Sequence, residues 1–299
     1  MGPLAAWVRF SSDTPPSSTD LRTTCGIGIK LLGVTGDKLI DDGDTQDFLR
    51  QNHDVFFVDT AAEMCEFTAA GVLGSDYEPY LRDHPETRRI LNEMAKVEPS
   101  SLTATYWSVL PSSFGDDRFV KYKLEPDTPP AGPPPDDPNY LARDLARRLR
   151  HGEARFRFLA QFRTGDMPLD RATVRWSEKE SPPIHVVHLV VPQQDVGVRG
   201  QAAYGENLAF NPWHSLAAHP PRGSISGARR DTYHSSAERR RTDNGASVEE
   251  PGSARTTTIE PSADAGDDEA VDAGDGCTRW PLRFRTQFEG STGVRRCRR

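Results

Sequence analysis

The stretch PDTPPAGPPPDDP, residues 126–138, holds seven prolines in thirteen positions. Proline lacks the amide hydrogen that a helix or a ladder needs, and its ring fixes φ, so this run is neither helix nor central strand. It is a surface loop that divides the patterned part of the chain in two. Each half must then supply short elements that pack against the other.

Upstream of the loop, Trp7 to Phe10 predicts a first strand. CGIGIKLLGVTG (25–36) mixes β-branched residues with glycines and predicts a strand closed by a turn from Gly33 to Asp37. The spacing of Gly26, Gly28 and Gly33 is not that of a dinucleotide fingerprint, and no helix follows. DVFFVDT (54–60) predicts another short strand, and residues 61–70 and 84–96 carry helical periodicity, the second with Leu91 and Met94 on its apolar side. LTATYWSVL (102–110) and RFVKYKLEP (118–126) alternate like neighbouring antiparallel strands, with Phe114 and Gly115 in the turn.

Downstream, Asn139 is placed to cap a helix bearing Leu141, Leu145 and Leu149 one turn apart and stopping near Gly152. RFRFLAQFR (155–163) and IHVVHLVVP (184–192) predict strands. His185 and His188, three residues apart on a strand, are expected on opposite faces, which argues against a metal pair. The order predicts an α+β fold, an antiparallel β-barrel or sheet with appended helices.

Composition separates a core from a tail. Residues 246–276 are mostly Ala, Gly, Ser, Thr, Asp and Glu, too poor in apolar groups to offset ordering, and the basic, aromatic RWPLRFRTQFEGSTGVRRCRR that follows has no period. The core is expected over 1–251 and a disordered tail over 252–299; a tail that binds anionic surfaces is the other reading of its charge. The net charge of −7, without a basic stripe, argues against a nucleic-acid partner. Cys25, Cys65, Cys277 and Cys297 have no paired spacing, so a reducing, cytoplasmic setting is expected. No basic region leads into an apolar run, and no segment approaches 18 apolar residues, so neither a signal peptide nor a membrane span is expected.

GARRDTYHSSAERRR (227–241) sets one phenol among five arginines. On a helix, Arg229, Tyr233 and Arg240 fall within about 40° of one another, with Ile225 one turn before Arg229. Two readings follow. Either the helix is solvated and the tyrosine only packs its ring, or the face is partly buried and its arginines need an anionic partner.

Several stretches, in order from Trp7 to Pro251, resemble the catalase family and its shorter members. AWVRFSS is similar to the family's Arg-Phe-Ser strand, and CGIGIKLLGV, through Gly26 and Lys30, to its Arg-Gly-Phe-Ala-x-Lys-Phe strand. DFLRQNHDVFF, ATYWSVLPSSFGDDRFVKYKLEP and LAFNPWHSLAAHPPRGSI resemble the following segments. The family's proximal helix carries Arg-x-x-x-Tyr with an arginine seven residues on, which Arg229, Tyr233 and Arg240 match.

The resemblance implies a haem cofactor and a peroxide-decomposing oxidoreductase acting on hydrogen peroxide or organic hydroperoxides. Tyrosine ligation of haem iron is the catalase pattern, which assigns Tyr233 as the metal ligand. A phenol titrates near 10 in water, so a phenolate ligand requires a neighbouring cation, implied here to be Arg229. Arg240 and Arg9, with Ser11 nearby, are implied at the propionates, Phe56 beside the macrocycle, and Gln51 as the group orienting peroxide. The family has asparagine where Gln51 stands. Its distal histidine lies well upstream of Arg-Phe-Ser, while eight residues precede Arg9 here, and no histidine of this sequence aligns with it. The expectation is a catalase homologue lacking its N-terminal strand, a haem binder with impaired turnover being the alternative. A homo-oligomer is an outcome the resemblance allows.

Overall fold

A computed structural model of the chain describes residues 2–13, 19–40, 43–129, 132–134 and 137–246. The expected tail, with Cys277 and Cys297, lies outside the described residues. Its elements are strands β1 (Ala6–Ser12), β2 (Cys25–Leu32) and β3 (Thr45–Gln51), helices α1 (Ala61–Val72), α2 (Glu78–Asp83) and α3 (Pro85–Met94), and strands β4 (Tyr106–Trp107), β5 (Ser112–Ser113) and β6 (Phe119–Pro126). Helix α4 (Tyr140–His151), strands β7 (Ala154–Phe162) and β8 (Ile184–Val191), and helices α5 (Gln201–Asn207) and α6 (Ser224–Asp243) complete the order. No described helix is long and apolar enough to cross a membrane.

One antiparallel sheet runs β1-β2-β3-β4-β6-β7-β8, with β5 paired to β6. It curls into a half-barrel. Among the described residues the ladder ends at β1 and β8, so the antiparallel sheet with appended helices is present and a full barrel is not shown. Because side chains alternate along a strand, Ile27, Ile29, Phe156 and Phe158 face a concave core with Phe10, Tyr106 and Leu124, closed by Leu141 and Leu149 of α4. Burying each such side chain contributes about 1.5–3 kcal/mol before the entropy of ordering. A second cluster joins Val55, Phe57 and Val58 to Ile90 and Met94 of α3 and Ile225 of α6.

Four local expectations are corrected. DVFFVDT is not a strand: its Phe56 amide donates to the Ala172 carbonyl and its Asp59 carbonyl accepts from Ala172, bonds to a loop rather than a ladder. The third strand is instead TQDFLRQ. The 102–110 strand is only Tyr106–Trp107. Asn139 makes no side-chain cap on α4; Asp20 Oδ2 accepts from the Leu141 amide at 3.0 Å. Finally, a bulge opposite Phe158/Leu159 resets the alternation in β8, so the His185 and His188 rings lie 4.4 Å apart rather than on opposite faces. No group of three candidate metal ligands occurs among the described residues.

Candidate functional site

Three cross-strand rows define the sheet face turned away from the concave core. They are Trp7–Lys30–Asp47, Arg9–Gly28–Leu49 and Ser11–Gly26–Gln51. Glycine occupies the middle of two rows, so β2 leaves a trough between the flanking side chains. Phe210 fills part of it: a Cβ on Gly28 would meet the Phe210 ring at 3.0 Å. Arg9 lies over the same ring at 4.5 Å. Period-two alternation therefore brings Arg9, Ser11 and Gln51 to one surface.

Helix α6 supplies the rest. It follows Gly223 at φ +87°, and Asp170 accepts from both the Ser224 amide (2.7 Å) and hydroxyl (2.8 Å). Gly245, at φ +61°, closes the other end, with the Ala246 amide donating to the Arg241 carbonyl at 2.9 Å. Asn211 ties the helix to β3: its amide donates to Asp47 Oδ2 at 2.9 Å and its side chain to the Arg230 carbonyl at 3.1 Å.

On the half-buried stripe, Arg229 Nη2 donates to the Tyr233 hydroxyl at 3.0 Å. Seven residues on, Arg240 reaches the end of α5, donating through Nε to the Glu206 carbonyl (2.5 Å) and through Nη2 to that of Leu208 (3.0 Å). Arg9 Nη1 donates to the same Leu208 carbonyl at 3.4 Å. Two arginines from opposite ends of the chain thus converge. Loss of water, then the neighbouring Arg240 charge, pushes Arg9 down to about 10, with Glu206, Tyr233 and Asp47 acting the other way. Burial likewise lowers Arg240. An anionic group between them would relieve both effects.

The remaining predicted residues lie apart from this convergence. Gln51 ends β3, and its Nε2 donates to the Val55 carbonyl at 2.9 Å. Phe56 packs at the edge of the cluster that includes Ile225, its ring 4.5 Å from that of Phe57. The histidine that reaches this sheet face is His214, bonded to Asp47 Oδ2 at 2.8 Å and close to Lys30. Asp47 stands two rows from Gln51, about 13 Å along the strand. His214, Asp47 and Phe210 lie inside the stretches DFLRQNHDVFF and LAFNPWHSLAAHPPRGSI, but the sequence assigns them no role.

The donor chemistry of these residues suits a haem. A half-buried phenol carries its own guanidinium, and two cations converge at one end.

No family model matches the chain, and no curated protein sequence matches it. Solved structures do. A fungal catalase superposes with a TM-score of 0.64 at 18% identity, over 79% of this chain and 52% of that one. A bacterial catalase gives a TM-score of 0.61 at 14% identity, over 91% and 59%. The fold is catalase-like, and the chain spans about half the length of the catalases it matches.

Proposed function

We propose that this chain is a catalase-like haem protein acting on hydrogen peroxide or an organic hydroperoxide. The observation that carries the reading is the convergence of Arg9 and Arg240 on the face that also holds the Arg229–Tyr233 pair; the catalase-like fold supports it. Bound haem would supply the iron-centred redox chemistry that decomposes peroxide. Tyr233 would provide the ligating oxygen, Arg229 would hold its negative charge, and Arg9 and Arg240, with Ser11 nearby, would offset the propionates. Phe56 would lie beside the macrocycle, and Gln51 would orient peroxide.

A second reading, a haem binder with slow turnover, is favoured by one feature: the Gln51 amide is held by Val55 and no histidine stands in its row. A positioned acid/base contributes roughly 10²- to 10⁴-fold. Without one, the peroxide proton passes to bulk water, and turnover is slow and rises with pH as hydroperoxide anion accumulates.

Titration of the chain with haemin tests the first claim. A high-spin ferric phenolate spectrum is expected, and Tyr233→Phe abolishes it; an unchanged spectrum in the variant refutes the ligand assignment. Oxygen release against pH separates the readings, since fast, pH-independent release requires a positioned base and excludes the slow binder.

A further inference from the structure

Strand β8 is the last of the ladder, and no described backbone group bonds its outer edge. Its side chains are bare as well. Leu189 and Val191 belong to the concave core, yet Val187, two residues earlier on the same side, is 53% exposed. Ile184, Val186 and Val190 are exposed too. The edge IHVVHLVV carries no Lys, Arg, Asp, Glu or Pro, the residues that ordinarily keep a free edge from pairing, and its one irregularity is the bulge that leaves Val186 unpaired with β7. An apolar edge of this kind is a template for one more strand.

The chain itself holds a segment that matches. RWPLRFRTQFEGSTGVRRCRR lacks a period as a whole, but residues 282–288, LRFRTQF, alternate, with Leu282, Phe284, Thr286 and Phe288 on one side and Arg283, Arg285 and Gln287 on the other. The stretch resembles β7, the strand that already pairs with β8: RFRTQF and RFRFLAQF share their Arg-Phe-Arg start and their Gln-Phe end. In β7 the side choice is visible, since Phe156 and Phe158 are buried and Arg155 and Arg157 exposed. Pro281 stands just before the segment, where a strand accepts it. Charge favours the contact: residues 1–246 carry 29 Lys and Arg against 34 Asp and Glu, whereas 279–299 carry seven Arg against one Glu. Reach is not limiting. The 35 residues between Ala246 and Leu282 span roughly 115 Å when extended, against a diameter of about 45 Å for a domain of this size.

We propose that residues 282–288 add to the free edge of β8 as a further strand of the same chain, with Leu282 and Phe284 on the side of Val187 and the arginines turned to solvent. The added strand covers the open end of the concave core and removes a site of edge-to-edge association. It requires no cofactor.

The test is hydrogen–deuterium exchange of the full chain, read on peptides spanning Ile184–Val191. In the parent, the outer-edge amides of β8 should exchange slowly. Phe284→Pro combined with Arg285→Pro alters two consecutive residues, one of whose amides must face β8, and should quicken that exchange roughly tenfold or more. Ser291→Pro with Thr292→Pro, outside the segment, should change nothing. From the other side, Val187→Lys should release the segment, read as faster trypsin cleavage after Arg283 and Arg285, and Val187→Ile should not. Fast exchange of β8 in the parent overturns the proposal. So does protection that persists in the Phe284→Pro and Arg285→Pro variant, or cleavage unchanged in Val187→Lys. Protection that weakens on dilution assigns the edge to a second copy of the chain and overturns it as well.

Discussion

Arg229 hydrogen-bonds the Tyr233 hydroxyl through Nη2 while its guanidinium carbon lies 4.8 Å from the centroid of the same ring. The arginine sits one turn before the phenol on a single helix, so both partners of the pair belong to α6 and neither comes from the sheet. That makes it separable by mutation from the rest of the site.

Arg229→Leu removes a charge-assisted hydrogen bond, worth about 1.5–3 kcal/mol. Haemin affinity at neutral pH should fall by roughly tenfold or more, since each 1.4 kcal/mol is a factor of ten. Arg229→Lys should fall less. Absorbance titration checks both, and unchanged circular dichroism shows that the half-buried position leaves the fold intact.

Gly28→Val places branched carbons where the Phe210 ring already stands, at 3.0 Å from the first of them. Overpacking of this kind costs about 1–3 kcal/mol, to be read as a lower urea midpoint. Phe210 also underlies Arg9, so haemin affinity should drop in the same variant. A variant as stable as the parent would mean that the trough is not filled as described.

Acid should weaken the fold through His53. Loss of water lowers its affinity for protons, with Lys96 and Arg175 adding to the effect and Asp54 and Glu93 opposing it, and its Nε2 is buried without a hydrogen bond among the described residues. The unfolded chain therefore binds the proton more readily than the folded one. Stability is retained above about 6.5 and lost as pH falls below it, by at most about 1.4 kcal/mol per pH unit for one proton. Urea unfolding between pH 7.5 and 5 should show this slope, reduced in His53→Gln.

Periodicity made much of this fold legible. The mix of β-branched residues and glycines in β2, the alternation of β7, the apolar run of β8 and the one-turn leucine spacing of α4 all marked real elements. Strand β3 escaped because TQDFLRQ buries Asp47 against Lys30 on one face and Arg50 against aromatic rings on the other, so buried polar residues stand on both sides of it. DVFFVDT misled for the reverse reason: its apolar side chains serve a helix-packed cluster while its backbone bonds a loop. The β8 bulge that unites His185 with His188 depends on a partner strand and has no local signature. Within the site, the Arg229–Tyr233 turn could be read from spacing. The meeting of Arg9 with Arg240 was implied only by the family resemblance; spacing does not show it, because it is made at the Leu208 carbonyl, a backbone atom that any residue would present.

That meeting carries a consequence for biosynthesis. Arg9 and Arg240 are 231 positions apart, which a ribosome covers in roughly 10–50 s at about 5–20 residues per second. The half-barrel can pair its strands during that interval, but the two cations face each other only after α6 has left the exit tunnel. A nascent chain arrested before Arg229 would bury its sheet core and still present neither the phenol nor the second arginine, so capture of the proposed haem would have to wait until α6 has emerged.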